Sequence, residues 1–241
     1  MTKSASSSIT LPSNGSGGMF DQIAERYDFM NRLISFGLDK NWRALLLKNL
    51  GALSEGDEVL DVATGTADVA LAICAHAPGV SVTGLDPSTG MLEVGSRKVS
   101  EQHLHNRVSL VLGDAQDMPF KDKRFAASCV SFGIRNVPDR RKGLLEMART
   151  TRPGGKVVVL ELSEPREGPL APFARFHIHH IVPRLGALFS GASEYRYLQQ
   201  SIEAFPAPEQ FGQLMESCGL IDIQIQPLTL GTAHLYTGTV A

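Results

Sequence analysis

One stretch limits what this chain can fold into: Val59-Leu60-Asp61-Val62-Ala63-Thr64-Gly65-Thr66-Ala67-Asp68, followed further on by Gly84-Leu85-Asp86. The first reads as an apolar strand running through a turn of small residues into a helix. The second reads as the next strand, closed by one carboxylate. A strand, a tight turn and a helix N-terminus bring several backbone N–H groups to one point. An acid at the tip of the neighbouring strand can then bind both hydroxyls of a ribose. Several nucleoside-bearing cofactors share that need, and the missing phosphate machinery narrows the choice. The chain has no Gly-x-x-x-x-Gly-Lys-Ser/Thr and no Gly-x-Gly-x-x-Gly, and Ala63 and Ala67 stand where a dinucleotide turn wants glycine. A cofactor with a ribose but no pyrophosphate, such as S-adenosylmethionine, fits better. The plainer alternative is a tight strand–helix turn with an incidental aspartate on the next strand.

Around that unit the chain alternates strand and helix. Strand-like runs cover 58–63, 80–86, 108–113, 126–132 and 156–161; helix-like runs cover 66–76, 88–101 and 138–149, the last ended by Arg152-Pro153-Gly154-Gly155. Val/Leu-rich strands in βα alternation predict a mostly parallel sheet with helices on both faces, an α/β doubly wound, Rossmann-like fold. Ahead of it, Phe20, Ile23, Tyr27, Met30 and Ile34 recur at helical spacing, and Asp39 is placed to cap a second helix with Trp42, Leu45, Leu46 and Asn49 inward. Residues 1–18 are Ser/Thr/Gly/Asn-rich and are expected to be a disordered tail, leaving 19–241 as one domain. Its helices over 19–50 and a helical insert at about 165–217 are expected to form the substrate side. Strand runs at 221–226 and 233–237 close the chain, and with them the sheet reaches seven strands.

Ligands of such sheets gather at the carboxyl ends of the strands. Those ends supply Ala63, Gly65 and Thr66, then Asp86, then Asp114 and Ala115, then Ser131 to Asn136. Asp114 can accept from an exocyclic amine while the Ala115 N–H donates to a ring nitrogen; alternatively Asp114 caps the turn leading to Met118. Arg135-Asn136 directly after a buried strand is unusual, unless Arg135 is a surface cation paired with Asp139. His177, His179 and His180 invite a metal reading. Helical spacing splits them between faces and no Cys or carboxylate cluster joins them, so no metal is expected. The surrounding Phe173, Phe176, Ile178, Ile181 and Val182 read equally as an apolar wall or as plain core. A net charge of −2 without a long basic run argues against nucleic acid. The cysteines, Cys74, Cys129 and Cys218, are odd in number and far apart, and read as small core residues in a reducing cytoplasm.

Four stretches resemble the ubiquinone/menaquinone biosynthesis C-methyltransferase family. They are Tyr27-Asp28-Phe29-Met30-Asn31-Arg32-Leu33-Ile34-Ser35-Phe36-Gly37 with Trp42 beyond, Ser131-Phe132-Gly133-Ile134-Arg135-Asn136-Val137, Pro153-Gly154-Gly155 with Glu161-Leu162-Ser163, and Tyr195-Arg196-Tyr197-Leu198. The resemblance runs from Met19 to the C-terminus in the right order. Asp39 stands where a His is common, Thr150-Thr151 where Val-Leu is usual, and Ala67 where many members have Gly. The resulting Gly65-Thr66-Ala67-Asp68 resembles the form found in the menaquinone branch. The resemblance implies a class I methyltransferase that moves the methyl of S-adenosylmethionine onto a ring carbon of a prenylated hydroquinone, most simply demethylmenaquinol. It places Thr66, Asp86, Asp114, Ala115 and Ser131 on the cofactor, the strand ends already named. Arg135 is assigned to the developing oxyanion, with Asn136 and Tyr27 orienting the ring.

A prenylated substrate lives in the bilayer, yet no apolar run reaches the roughly 18 residues a span requires. Peripheral contact through the first helix or the 170–190 insert, on the inner face of the membrane, is therefore expected. A homodimer or a quinone-synthesis assembly is left open. The rival readings are ubiquinone-branch methylation, methylation of a soluble phenol, and a silent cofactor-binding scaffold.

Overall fold

The computed structural model describes residues 17–35, 37–163 and 192–241. The expected disordered tail falls mostly outside them, as do the His177–His180 run and the apolar residues around it. Helix α1 spans Gly17–Ile34, starting just ahead of the expected Met19, and α2 spans Asp39–Lys48. Then follow β1 (Glu58–Val62), α3 (Asp68–His76), β2 (Ser81–Asp86), α4 (Thr89–Glu101), β3 (Val108–Leu112), β4 (Phe125–Ser131), α5 (Arg140–Thr150) and β5 (Thr151–Leu162). The described part of the insert contributes α6 (Ala192–Glu203) and α7 (Pro208–Ser217), ahead of β6 (Leu220–Leu228) and β7 (Ala233–Val240).

The sheet has seven strands in the order β3-β2-β1-β4-β5-β7-β6, with β7 antiparallel to both neighbours and the others parallel. Consecutive parallel strands run outward from β1 in one direction and from β4 in the other. The crevice between β1 and β4 is thus the topological switch point. Both faces of the central strands are covered, which is why their sequences are continuously apolar. One layer packs Trp42, Leu46, Ile73 and Val99 against Val59, Leu160 and Leu235. The other packs Leu144, Met147, Phe211 and Met215 against Leu60, Val157 and Tyr236. The three cysteines are buried and free.

Local chemistry sets the ends of the elements. The Ser88 hydroxyl accepts from Met91 N at 3.1 Å to cap α4, and Asp139 accepts from Lys142 N at 3.1 Å to cap α5. Asp39 does not cap α2. It is the first helical residue, buried, and accepts from the Ser35 hydroxyl at 2.8 Å, while Leu38 holds the cap position without a side-chain bond. Pro153-Gly154-Gly155 does more than stop α5. The register between β4 and β5 jumps from Phe125–Thr151 to Ala127–Lys156, so these residues form a bulge inside β5.

Candidate active site

The turn after β1 is built from left-handed residues: Ala63, Gly65 and Ala67 have φ of 51°, 56° and 65°. For alanine that conformation costs about 1 kcal/mol or more, because Cβ crowds the following carbonyl. The turn is held by its surroundings. Thr64 N donates to Leu85 O at 3.0 Å, Ala67 N donates to Thr64 O at 3.0 Å, and the Thr64 hydroxyl donates to Asp61 at 2.6 Å beneath. Asp61 is buried, which pushes its carboxyl up to about 6 against the pull of Thr64.

Asp86 closes β2 and faces this turn. One carboxylate oxygen accepts from Gly65 N at 2.8 Å and the other from Ser88 N at 2.9 Å. Burial raises its pKa to about 6, opposed by those two N–H groups. Each oxygen keeps a free lone pair, which suits a diol donor. Gly113 follows β3, where a Cβ would stand 2.7 Å from Leu85 Cδ1. Asp114 accepts from Gln116 N at 2.9 Å and from the Gln116 amide at 3.1 Å, so it also performs the turn-capping role open to it.

Tyr27, Ala63, Gly65, Asp86, Asp114, Ala115 and Asn136 line one cavity of about 200 Å³. Phe132, from the β4 tip already named, lines it too, but the sequence missed the rest of its apolar wall, Phe20, Pro87, Met91, Val137 and Pro138, because nothing in an apolar side chain distinguishes a pocket from a core. Of these, Phe20 lies on the helical face already recognised, and it meets Tyr27 edge-on with ring centroids 5.9 Å apart. Thr66, Ser131 and Arg135 do not line this cavity. The left-handed turn points Thr66 away from it, where its hydroxyl donates to Asp28 at 2.6 Å and accepts from Lys98 at 3.0 Å. The Ser131 hydroxyl is buried without a hydrogen-bond partner among the described residues.

Asp28 and Lys98 belong to a polar strap that fastens α1 over the cavity. Lys98 bonds both Asp28 and Asp68, and Arg43 reaches Asp68 at 2.7 Å. Asp21 accepts from the Ser88 hydroxyl at 2.6 Å and from Gly90 N at 2.8 Å. Tyr27 and Asp28 therefore divide their labour: one faces the cavity, the other ties the helix down.

Arg135 is not a surface cation paired with Asp139. It is 5% exposed and pairs with Glu161, itself 0% exposed, at 2.7 Å. Its Nη1 also donates to Phe132 O at 2.5 Å and its Nε to the Ser201 hydroxyl of α6 at 3.3 Å. Nη2 has no hydrogen-bond partner among the described residues. Phe132, at φ 60°, turns its carbonyl toward the guanidinium. Beside Arg135, Asn136 accepts from the Tyr197 hydroxyl at 3.2 Å. Burial lifts the Tyr27 phenol above its ordinary range while the nearby Arg135 charge opposes it. Gly133 lets the β4 loop meet the β1 turn, since a Cβ there would lie 2.5 Å from Ala63 Cβ. Among the described residues no group of His, Cys, Asp and Glu is gathered as a metal site.

Comparison with known proteins places this geometry. Residues 10–240 match the family described as ubiE/COQ5 methyltransferase. The ubiquinone/menaquinone biosynthesis C-methyltransferase UbiE of Geotalea daltonii is 45% identical over 221 residues, 91% of this chain and 94% of the relative. The demethylmenaquinone methyltransferase of Halalkalibacterium halodurans is 40% identical, covering 91% of this chain and 90% of the relative. Among solved structures, a phosphoethanolamine N-methyltransferase of Haemonchus contortus in complex with S-adenosyl-L-methionine superposes with a TM-score of 0.68 at 18% identity, covering 92% of this chain and 60% of that one. A putative S-adenosyl-L-methionine-dependent methyltransferase of Methanococcus maripaludis gives 0.68 at 13% identity, covering 97% of each chain.

Proposed function

The chain belongs to the ubiE/COQ5 methyltransferase family, and on that premise we propose that it methylates a ring carbon of a prenylated hydroquinone, with demethylmenaquinol as substrate and menaquinol as product. The observation that carries this reading is that nearby strand ends present Asp86, bonded to the Gly65 and Ser88 N–H groups, and the buried Arg135 guanidinium, whose Nη2 meets no acceptor among the described residues. Asp86 would hold the ribose, Asp114 and the Ala115 N–H the adenine, and the turn through Ala63 and Gly65 the chain end of the nucleoside. Thr66 and Ser131 support that turn and the β4 tip from behind. Bound there, S-adenosylmethionine supplies an electrophilic methyl group.

The acceptor is the harder partner. An aromatic carbon is a weak nucleophile until the adjacent hydroxyl ionises, and phenols titrate near about 10. A buried cation facing that oxygen favours the ionised form and stabilises charge as it develops. Arg135 does this as a donor, since, against the pull of burial, the Glu161 charge raises the pKa of its guanidinium further and bars it from acting as an ordinary base. Asn136, oriented by Tyr197, and Tyr27 hold the ring so that its carbon lies in line with the methyl, at roughly 3–3.5 Å. The ring carbon would gain the methyl as the methyl–sulfur bond breaks, its electron pair staying on the departing neutral thioether. The ring hydrogen would pass as a proton through water to the ionised oxygen, restoring the hydroquinone. Among the described residues no helix is long and apolar enough to cross a membrane. The substrate is then met at the bilayer surface, through α1 or the insert.

The test combines the purified protein with labelled S-adenosylmethionine and either demethylmenaquinol or the corresponding prenylated benzoquinol. Label is expected in menaquinol. Preferential labelling of the benzoquinol would move the chain to the ubiquinone branch, and label in neither would end the proposal. Salt should wash the protein from membranes; release by detergent alone would contradict peripheral contact.

A further inference from the structure

Glu161 is a fully buried carboxylate to which the reaction outlined above gives no task. It sits at the carboxyl end of β5, and its contacts converge on one neighbour. Oε1 accepts from Arg135 Nη1 at 2.7 Å and from Leu162 N at 2.8 Å, while Oε2 accepts from Arg135 N at 3.1 Å. One carboxylate thus grips both the main chain and the head of Arg135, fixing the two ends of a long side chain. Phe132 O takes the second hydrogen of Nη1 and Ser201 takes that of Nε. A guanidinium has five N–H donors in a rigid fork. With three engaged, only the pair on Nη2 remains without a partner among the described residues, and its direction is dictated by the others. Stability alone is a poor reason to keep such a pair, because buried ion pairs seldom outperform apolar packing of the same volume.

We propose that Glu161 is a positioning residue for methyl transfer: it sets the plane of the Arg135 guanidinium so that Nη2 addresses the acceptor oxygen. The proposal rests on the methyl-transfer reading given above. Its test is a double-mutant cycle in the full-length protein, using Glu161→Gln, Arg135→Ala and the pair together, with S-adenosylmethionine affinity as the check on folding. Glu161→Gln keeps the volume and is expected to lower kcat on the order of 10–100-fold, as a misplaced catalytic group does. KM for the quinol and affinity for S-adenosylmethionine should stay within about threefold. In the Arg135→Ala background, Glu161→Gln should cost nothing further, because the group it positions is gone. Losses that multiply in the pair would overturn the proposal, as would a Glu161→Gln enzyme with wild-type kcat. If Glu161→Gln does not fold, Glu161→Asp serves instead: it keeps the charge but draws it back by one methylene. A folded, fully active Glu161→Asp would count equally against the proposal. Wild-type inactivity on both quinols would overturn the underlying reading and this proposal together, whereas wild-type activity with an indifferent Glu161 variant overturns this proposal alone.

Discussion

Asp86 and Glu161 are both buried carboxylates at the carboxyl ends of strands, yet they are satisfied differently. Among the described residues Asp86 has only backbone N–H donors, from Gly65 and Ser88, and burial raises its pKa to about 6. Glu161 faces the buried cation of Arg135. The strand ends on one side of the switch point therefore present an acid with unspent lone pairs, and those on the other a cation with unspent hydrogens. An acid held only by amides can take up hydroxyl donors without losing a partner. A cation clamped on one flank can receive an anion on the other. Under the proposed function, a neutral diol would be received on one side and an oxyanion on the other.

The largest effect expected from breaking this contrast is at the cation. Arg135→Ala should cut kcat by about 10²–10³, the loss typical of a missing oxyanion donor. It should also destabilise the fold by roughly 3–5 kcal/mol, because Glu161 is left buried and unpaired. Chemical denaturation beside initial-rate assays reads both, and wild-type turnover would remove Arg135 from the reaction. Asp86→Asn should act on binding instead, weakening S-adenosylmethionine on the order of 10–100-fold with stability within ~1 kcal/mol of wild type. Calorimetric titration decides it, and unchanged affinity would take the ribose away from Asp86.

Titration sharpens the same contrast. Burial raises Asp86 and Asp61 to about 6, so the folded state holds their protons more tightly than the unfolded one. Their stabilising contribution is complete below the ordinary aspartate range and is lost as pH rises through about 6. The free protein should therefore melt higher at pH 5 than at pH 7, with the two aspartates outweighing His234, whose imidazole is shifted down by burial and so opposes the trend as pH falls. Asp57, Asp68 and Glu146 are shifted the opposite way and lose their contributions only in more acidic solution. Affinity for S-adenosylmethionine should move against stability, falling up to about tenfold per pH unit below 6 as Asp86 protonates. Asp86→Asn should flatten that affinity profile; a persistent slope would assign it to another group. The smallest effect belongs to the turn itself. Ala67→Gly should relieve left-handed strain and raise stability by about 1 kcal/mol or less, offset by the freedom glycine gains when unfolded. A lower melting temperature would mean that the lost methyl packing outweighs the strain.

Much of this was legible because strand tips are local. Alternation and apolar runs located β1 to β4 to within a residue and the second half of β5, whose start at Thr151 they missed, and the tips at Asp86, Asp114 and Asn136 followed from counting to their ends. What escaped depends on distant partners. Nothing near Arg135 in sequence announces Glu161 or Ser201, so burial of the guanidinium and the direction of Nη2 emerge only when β5 and α6 are in place. Thr66 looked cavity-facing because it follows Gly65, but successive left-handed residues rotate it beneath α1. Asp39 had the composition of a cap, and the demand of the buried Ser35 hydroxyl claimed it instead. The family motifs marked Tyr27-Asp28 and Glu161 without distinguishing the side chain that meets a ligand from the one that holds another in place.

The contact between Gly133 and Ala63 has a consequence for how the molecule can change. These two positions form the seam where the β4 loop meets the β1 turn, and together they leave no room for one more carbon. A methyl gained at Gly133 would act as a wedge at the seam, forcing apart the two strand ends that flank the switch point. The closeness of the two strand ends is thus written in an atom the chain omits, and drift at either site is answerable to the other.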